Sequence, residues 1–278
     1  MTSPPRRSPH AALLVTAVLL LSACASPRAP SSMAPSYPAV PGIGEVDLVW
    51  HPREGMRLVH TVTKDIEASG PLTKPVAAKD RKQHISLTRA VEVTAVGPDY
   101  FEVRFTQDGF ALPATLRISR DWTAVDARVD ETAQLDDKER QALEVTVKQV
   151  GEPFVQSSRF LGHWKVGETR PFDIELTAMP DTSGRGQGTM TFRGVVLVGN
   201  RQAAEFDWQA RAEFLFAGDP GRGVPGQMNI VGREWRDLAT GASLRVTARA
   251  DAEFSRQGRP AIVASETAEV LDLEQSRL

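Results

Sequence analysis

Apolar and polar positions alternate with a period of two along most of the chain. Ile85, Leu87, Val91 and Val93 share one parity, and after Gly97-Pro98-Asp99 the pattern resumes with Phe101, Val103 and Phe105. Phe110, Leu112, Leu116 and Ile118 continue it. In the second half, Met190, Phe192, Val196 and Val198 lead into Gly199-Asn200, and beyond it Phe206, Trp208, Ala210, Ala212, Phe214 and Phe216 fall on one parity. Two alternating runs around a Gly-Asn pair predict a β-hairpin. A last run, Leu244, Val246, Ala248, Ala250, Ala252 and Phe254, precedes the Arg256-Gln257-Gly258 turn and Ile262. Neighbouring side chains of a strand point to opposite faces, so these runs predict antiparallel strands with one face on a core and one in water.

About ten such strands are expected, several longer than the usual 5–6 residues. Long strands in meander order favour a mainly β fold built as a curved sheet, a half-barrel or a barrel. One segment breaks the alternation. Residues 131–149 carry neither Pro nor Gly, place apolar Leu135, Ala142, Leu143 and Val147 among good helix formers, and concentrate acids in their first half. This predicts a single α-helix, stopped by Gly151 and Pro153.

The N-terminal part follows different rules. Arg6 and Arg7 precede the apolar run Ala11 to Leu21, and no acidic residue occurs before Glu45. An apolar run of eleven residues is too short for a membrane-spanning helix, which needs about 20. A basic start, a short apolar run and small residues at its exit make a secretory signal. At that exit, Leu21-Ser22-Ala23-Cys24 resembles the lipobox of bacterial lipoproteins. The resemblance implies cleavage between Ala23 and Cys24, a diacylglycerol on the Cys24 thiol and an acylated (palmitate-type) amino group. An ordinary secretory signal is the alternative. By analogy with Gram-negative lipoproteins, Ala25 in place of aspartate favours the outer membrane, with the domain facing the periplasm. Prolines at 27, 30, 35, 38 and 41 then mark an extended spacer. The organisation read from sequence is a signal over 1–23, a lipidated cysteine and Pro-rich tether over 24–44, and a single β-rich domain over 45–278.

Composition narrows the function classes. The net charge of −2 becomes −4 once Arg6 and Arg7 leave with the signal, and a nucleic-acid partner would call for a basic patch. The one cysteine leaves no intramolecular disulfide and no Cys-based zinc cluster. Membrane attachment therefore falls to the acyl chains on Cys24, where two chains give stable anchoring and one is marginal.

Candidate chemistry is sparse. His51, His60, His84 and His163 form no HExxH pair, and Gly-x-Ser-x-Gly is absent. Gly221-Arg222-Gly223-Val224-Pro225-Gly226 matches GxGxxG as a string, but a strand pattern follows it where a dinucleotide site needs a helix. No cofactor or metal is expected, and no catalytic residue is assigned. Arg104, Arg117, Arg193, Arg211, Arg245 and Arg249 recur on the polar parity, either as a basic stripe or, more in keeping with Glu102, Glu205, Glu213 and Glu253 beside them, as cross-strand ion pairs. Phe192, Phe206, Trp208, Phe214 and Phe216 occupy the inner parity, where they either line a cavity for a lipid-like ligand or pack as core. The body is similar to uncharacterised β-rich bacterial lipoprotein domains, a resemblance that implies architecture alone. The leading expectation is a lipid-anchored envelope protein with a non-catalytic binding or carrier domain. The alternatives are an envelope hydrolase with its site near His163-Trp164 and a structural accessory of an envelope protein complex.

Overall fold

The computed structural model describes residues 36–69, 82–108, 110–129, 136–175, 182–216, 223–256 and 259–271. Among the described residues, thirteen strands and one α-helix run in the order β1 Glu45–Leu48, β2 Arg57–Ser69, β3 Lys82–Val96, β4 Tyr100–Gln107, β5 Phe110–Ser119, β6 Val125–Val129, α1 Asp137–Ser157, β7 Gly162–Lys165, β8 Thr169–Glu175, β9 Thr182–Val198, β10 Arg201–Phe216, β11 Val224–Asp237, β12 Ser243–Arg256 and β13 Arg259–Leu271. Eleven of them form one antiparallel sheet in the order β6-β5-β4-β3-β2-β13-β12-β11-β10-β9-β8, while β1 and β7 pair separately. Consecutive strands are neighbours except where β13 joins β2, so the two halves of the chain meet in the middle of the sheet. With β6 and β8 at its edges the sheet is open, not a closed barrel. Register shifts in β3, β4, β10, β11 and β12 bend it, because a bulge adds a residue on one side of a pair and increases the local twist.

The period-2 reading holds in the register. Arg201 pairs with Val198 around Gly199-Asn200, and Gly199 adopts φ +62°, the left-handed conformation that this hairpin turn requires. On β10, Phe206, Ala210, Ala212 and Phe214 are buried while Gln209, Arg211, Glu213 and Leu215 are exposed. On β11 the inner position opposite Trp208 is Gly232, where a Cβ would run into the indole. The ring lies flat over a glycine instead of standing off the sheet.

The outer face carries the paired charges expected there. Arg233 reaches Asp207 at 2.6 Å and Glu205 at 3.5 Å, Arg193 reaches Asp207 at 3.3 Å, and Arg117 meets Glu102 at 4.0 Å. Arg249 binds Asp251 two residues along its own strand, and Arg211 donates to Gln227. Each of these contacts contributes a fraction of a kcal/mol.

Two pieces cover the ends of the inner face. Helix α1 packs on β5 and β6, with Leu143, Val147 and Phe154 joining Phe101, Val103, Leu116, Ile118 and Trp122 in one cluster. Asp136 caps the helix in a reciprocal capping box with Glu139. The helix does not stop at Gly151 and Pro153 but continues to Ser157. Gly151 meets the Val125 side chain where a Cβ would clash, and burial of Phe154 beyond it offsets the hydrogen bond that Pro153 cannot make. At the other end, β1, β7 and the 3-10 turn Ser158–Phe160 place Leu48, Trp164 and Phe160 against Met190, Phe192 and Phe206.

The end of the Pro-rich segment also belongs to the packed body. Ala39 bridges to Val196, the Val40 amide donates to the Val195 carbonyl and the Leu197 amide to the Pro38 carbonyl, extending the sheet where β8 has left β9. Tyr37 stands edge-on to Trp235 at 5.3 Å and accepts a hydrogen bond from Arg245 at 2.9 Å. Among the described residues, packing therefore starts at Tyr37, several residues before β1.

Candidate functional site

Of the aromatic side chains on the inner parity of β9 and β10, Phe192 and Phe206 are wholly buried and touch, with ring centroids 5.3 Å apart. Phe206 also meets Phe160 at 5.2 Å and Trp164 at 5.1 Å. These four rings fill the space beneath β1 and β7 as core. Phe214 is buried in a second cluster with Met228, Ile230 and Ala252, and Trp208 packs partly buried between the two clusters. The Trp208 indole N–H is enclosed and has no acceptor. The Phe216 side chain, and Ala23 and Cys24, lie outside the described residues.

Of the histidines, His163 on β7 lies opposite Asp47 on β1. Its Nδ1 is 3.0 Å from Asp47 and its Nε2 is 3.5 Å from Glu45. The arrangement resembles the histidine–carboxylate half of a hydrolytic triad, but all three side chains are about half exposed or more. Such a pair in solvent is a modest strand-to-strand contact. Beside it Arg170 stacks on Trp164 at 3.7 Å and binds Glu168 at 2.7 Å. Among the described residues, no group of three His, Cys, Asp or Glu side chains is placed to hold a metal ion.

A different set converges on the inner face at the centre of the sheet. His60 lies on the parity of buried Leu58 and Val62 in β2, and Arg89 on that of Val91 and Val93 in β3; the two are cross-strand partners. On β4, Gln107 is the register partner of Arg89. The β-pairing of β13 runs to Leu271, opposite Thr61 of β2 and Arg245 of β12. One step beyond, His60 reaches across and binds the main chain of Ser243. The fold thus sets an imidazole and a guanidinium side by side between α1 at one end and the β1–β7 layer at the other.

The hydrogen bonding of this set is incomplete. The Arg89 guanidinium donates to Gln107 at a long 3.4 Å and lies 5.5 Å from the Phe105 ring. The enclosed Nε of Arg89, Nε2 of His60 and Oγ of Ser243 have no partner. No carboxylate among the described residues forms an ion pair with Arg89, and burial lowers its pKa. Burial also lowers the His60 pKa, more than the hydrogen bond to Ser243 raises it, and the Arg89 charge acts in the same direction as burial. A buried charge without a partner costs several kcal/mol, which is why such groups normally occur paired.

This has a consequence for pH dependence. The unfolded chain protonates His60 near its ordinary value of 6.5, whereas the folded chain resists protonation. The folded state then binds fewer protons, so stability falls as pH drops below about 6.5 and levels off below the folded-state pKa. Urea melts at pH 7.5 and 5.5 should show a smaller acid loss in His60→Gln than in the parent chain. Equal losses would contradict the assignment.

The sequence contained a signal for this set: a histidine and an arginine on the apolar parity of two adjoining strands. No helix among the described residues is long and apolar enough to cross a membrane. Gly223 and Gly226 of the GxGxxG string flank the start of β11, so a strand follows them.

No protein-family model matches the chain, and no curated protein matches it. Among solved structures, it is similar to a protein from Bacteroides fragilis described as exported and having a YmcC-like fold, at 8% identity and a TM-score of 0.29, over 82% of this chain and 99% of that one. A likeness at that level carries no argument about function.

Proposed function

We propose that this is a lipid-anchored protein of the bacterial cell envelope, held by acyl chains on Cys24, whose β domain is a non-catalytic binding or carrier module. The observation that carries the binding role is Arg89, a partly buried guanidinium with an enclosed unpartnered Nε beside an equally unpartnered His60 nitrogen. Incomplete polar pairing around a cation that no described carboxylate pairs with marks a place where a ligand completes the hydrogen bonding. The solvent-exposed His163 pair favours this over hydrolysis.

The anchor reading rests on Leu21-Ser22-Ala23-Cys24 behind a basic start and an apolar run. The segment from residue 25 to 36 then spans up to about 35 Å as an extended spacer at about 3.1 Å per residue. This spacer holds the body off an outer-membrane surface facing the periplasm.

Cell fractionation tests attachment. The parent chain should sediment with membranes, and Cys24→Ala should move most of it to the soluble fraction, because a protein that loses its acyl chains loses its stable anchor. A Cys24→Ala chain that remained with the membrane would contradict the lipid anchor. Native mass spectrometry of that soluble variant tests binding, which predicts co-purified small-molecule mass on the folded chain.

A further inference from the structure

We infer that Arg89, His60 and Ser243 form an oxyanion-binding site on the inner face, which takes the phosphate or carboxylate head of an amphiphile whose apolar tail lies along the neighbouring strands. This deepens the binding reading above and rests on it.

Three observations converge on this ligand class. The first is charge: Arg89 is the cation of the set, and no carboxylate among the described residues neutralises it. A planar guanidinium presents a fork of N–H donors that matches phosphate and carboxylate oxygens. Its Nη2 is only loosely held by Gln107 at 3.4 Å, and Nε has no acceptor. The second is the supporting donors. The Ser243 hydroxyl is enclosed and unpartnered. His60, fixed by the Ser243 main chain, offers a second nitrogen that becomes a donor when an anion beside it favours protonation.

The third is the surface next to the set. Val246 and Ala248 on the inner parity of β12 and Leu87 of β3 are half-buried, and Val62 of β2 is register partner to Leu87, whereas Ala250 and Ala252 further along β12 pack in the cluster with Phe214 and Met228. The Phe105 ring adjoins Arg89. A small, apolar strip beside a cation suits a head-and-tail ligand better than a free inorganic ion. On the outer face, by contrast, Arg193, Arg233 and Arg249 already bind carboxylates.

Isothermal titration calorimetry on the full chain carrying Cys24→Ala decides the matter, with three probes: dodecyl phosphate, uncharged dodecyl maltoside, both below their micelle concentrations, and inorganic phosphate. Dodecyl phosphate should bind measurably tighter than the other two. Arg89→Gln should weaken it by roughly tenfold or more, the usual loss for a charge-assisted bond, and Arg89→Lys should recover part of the affinity because the charge remains. His60→Gln should weaken it less, and it serves as the check if Arg89→Gln does not fold. Inorganic phosphate binding as tightly as dodecyl phosphate would overturn the amphiphile and leave an anion site. Equal binding of dodecyl phosphate and dodecyl maltoside, unaffected by Arg89→Gln, would overturn the oxyanion site while leaving a lipid-binding domain. Binding of none of the three would overturn the oxyanion site, and the absence of co-purified ligand in native mass spectrometry would then remove the binding reading as well.

Discussion

Phe206→Ala is expected to destabilise the domain by about 3–5 kcal/mol, the usual cost of removing a buried phenyl ring from a core that cannot collapse into the space. Phe206 has no exposed surface and is the shared neighbour of Phe160, Trp164 and Phe192, with centroid separations of 5.1 to 5.3 Å. These partners come from the 3-10 turn, β7 and β9, so one truncation loosens the attachment of the β1–β7 layer to the main sheet. Thermal unfolding should shift down by on the order of 10 °C for a domain of this size. Phe206→Leu, which keeps most of the apolar volume, should lose much less. If Phe206→Ala melted within a degree or two of the parent, the ring would be lining open space, and the cavity alternative for these aromatic residues would return.

The second large effect concerns a charge inside the sheet. Glu234 and Arg236 share the inner parity of β11 and pair at 2.7 Å, with side chains 8% and 4% exposed. Arg236 also donates to the Gly241 carbonyl at 3.1 Å and stacks on Phe160 at 4.5 Å. Its strand neighbour Asp237 receives Arg201 at 3.0 Å and the Thr240 hydroxyl at 2.7 Å. Glu234→Leu removes one member and leaves the other charge buried without compensation, a loss of about 3–5 kcal/mol. The double variant Glu234→Leu, Arg236→Met should recover most of that loss, because two apolar side chains of similar volume replace an ion pair whose desolvation nearly cancels its attraction. Chemical denaturation of the parent and the two variants measures the loss and its recovery. A Glu234→Leu chain as stable as the parent would show that Arg236 finds sufficient partners in Gly241 and Phe160 alone.

Both effects show what was legible in the sequence and what was not. The parity of Phe192, Phe206, Trp208 and Phe214 was readable because a strand has a strict period of two and one face of this sheet is dry. Their packing partners were not, since Phe160 and Trp164 lie in a turn and a four-residue strand that carry no periodicity of their own. The helix was visible from composition, yet Pro153 and Gly151 were read as its stop, and packing against Val125 and the β4–β5 core carried it on to Ser157. The arginines of the outer face were expected to pair with acids, and Arg117, Arg193 and Arg249 do, although Asp207 and Asp251 take more of that role than the glutamates expected. The polar set at the centre went unread for the opposite reason. His60 and Arg89 occupy apolar parity, and only the pairing of β2 with β3 and the reach to Ser243 bring them together. Parity marks His60 and Arg89 as inner positions, but the spacing between residues 60, 89 and 243 does not show that they meet.

The end of the Pro-rich segment was likewise invisible as structure. Tyr37 finds Trp235 and Arg245 nearly two hundred residues away or more, and the segment after it completes the edge of β9. In the proposed arrangement, this docking sets the point at which the tether meets the body.

Mass spectrometry of the mature N-terminus, on protein extracted from membranes of a lipoprotein-processing bacterium, tests the lipid-anchored account most directly. It predicts a first residue of Cys24, carrying the mass of a thioether-linked diacylglycerol with or without an amide-linked acyl chain. A mature chain that begins at another residue, or at Cys24 with a free thiol, would contradict it.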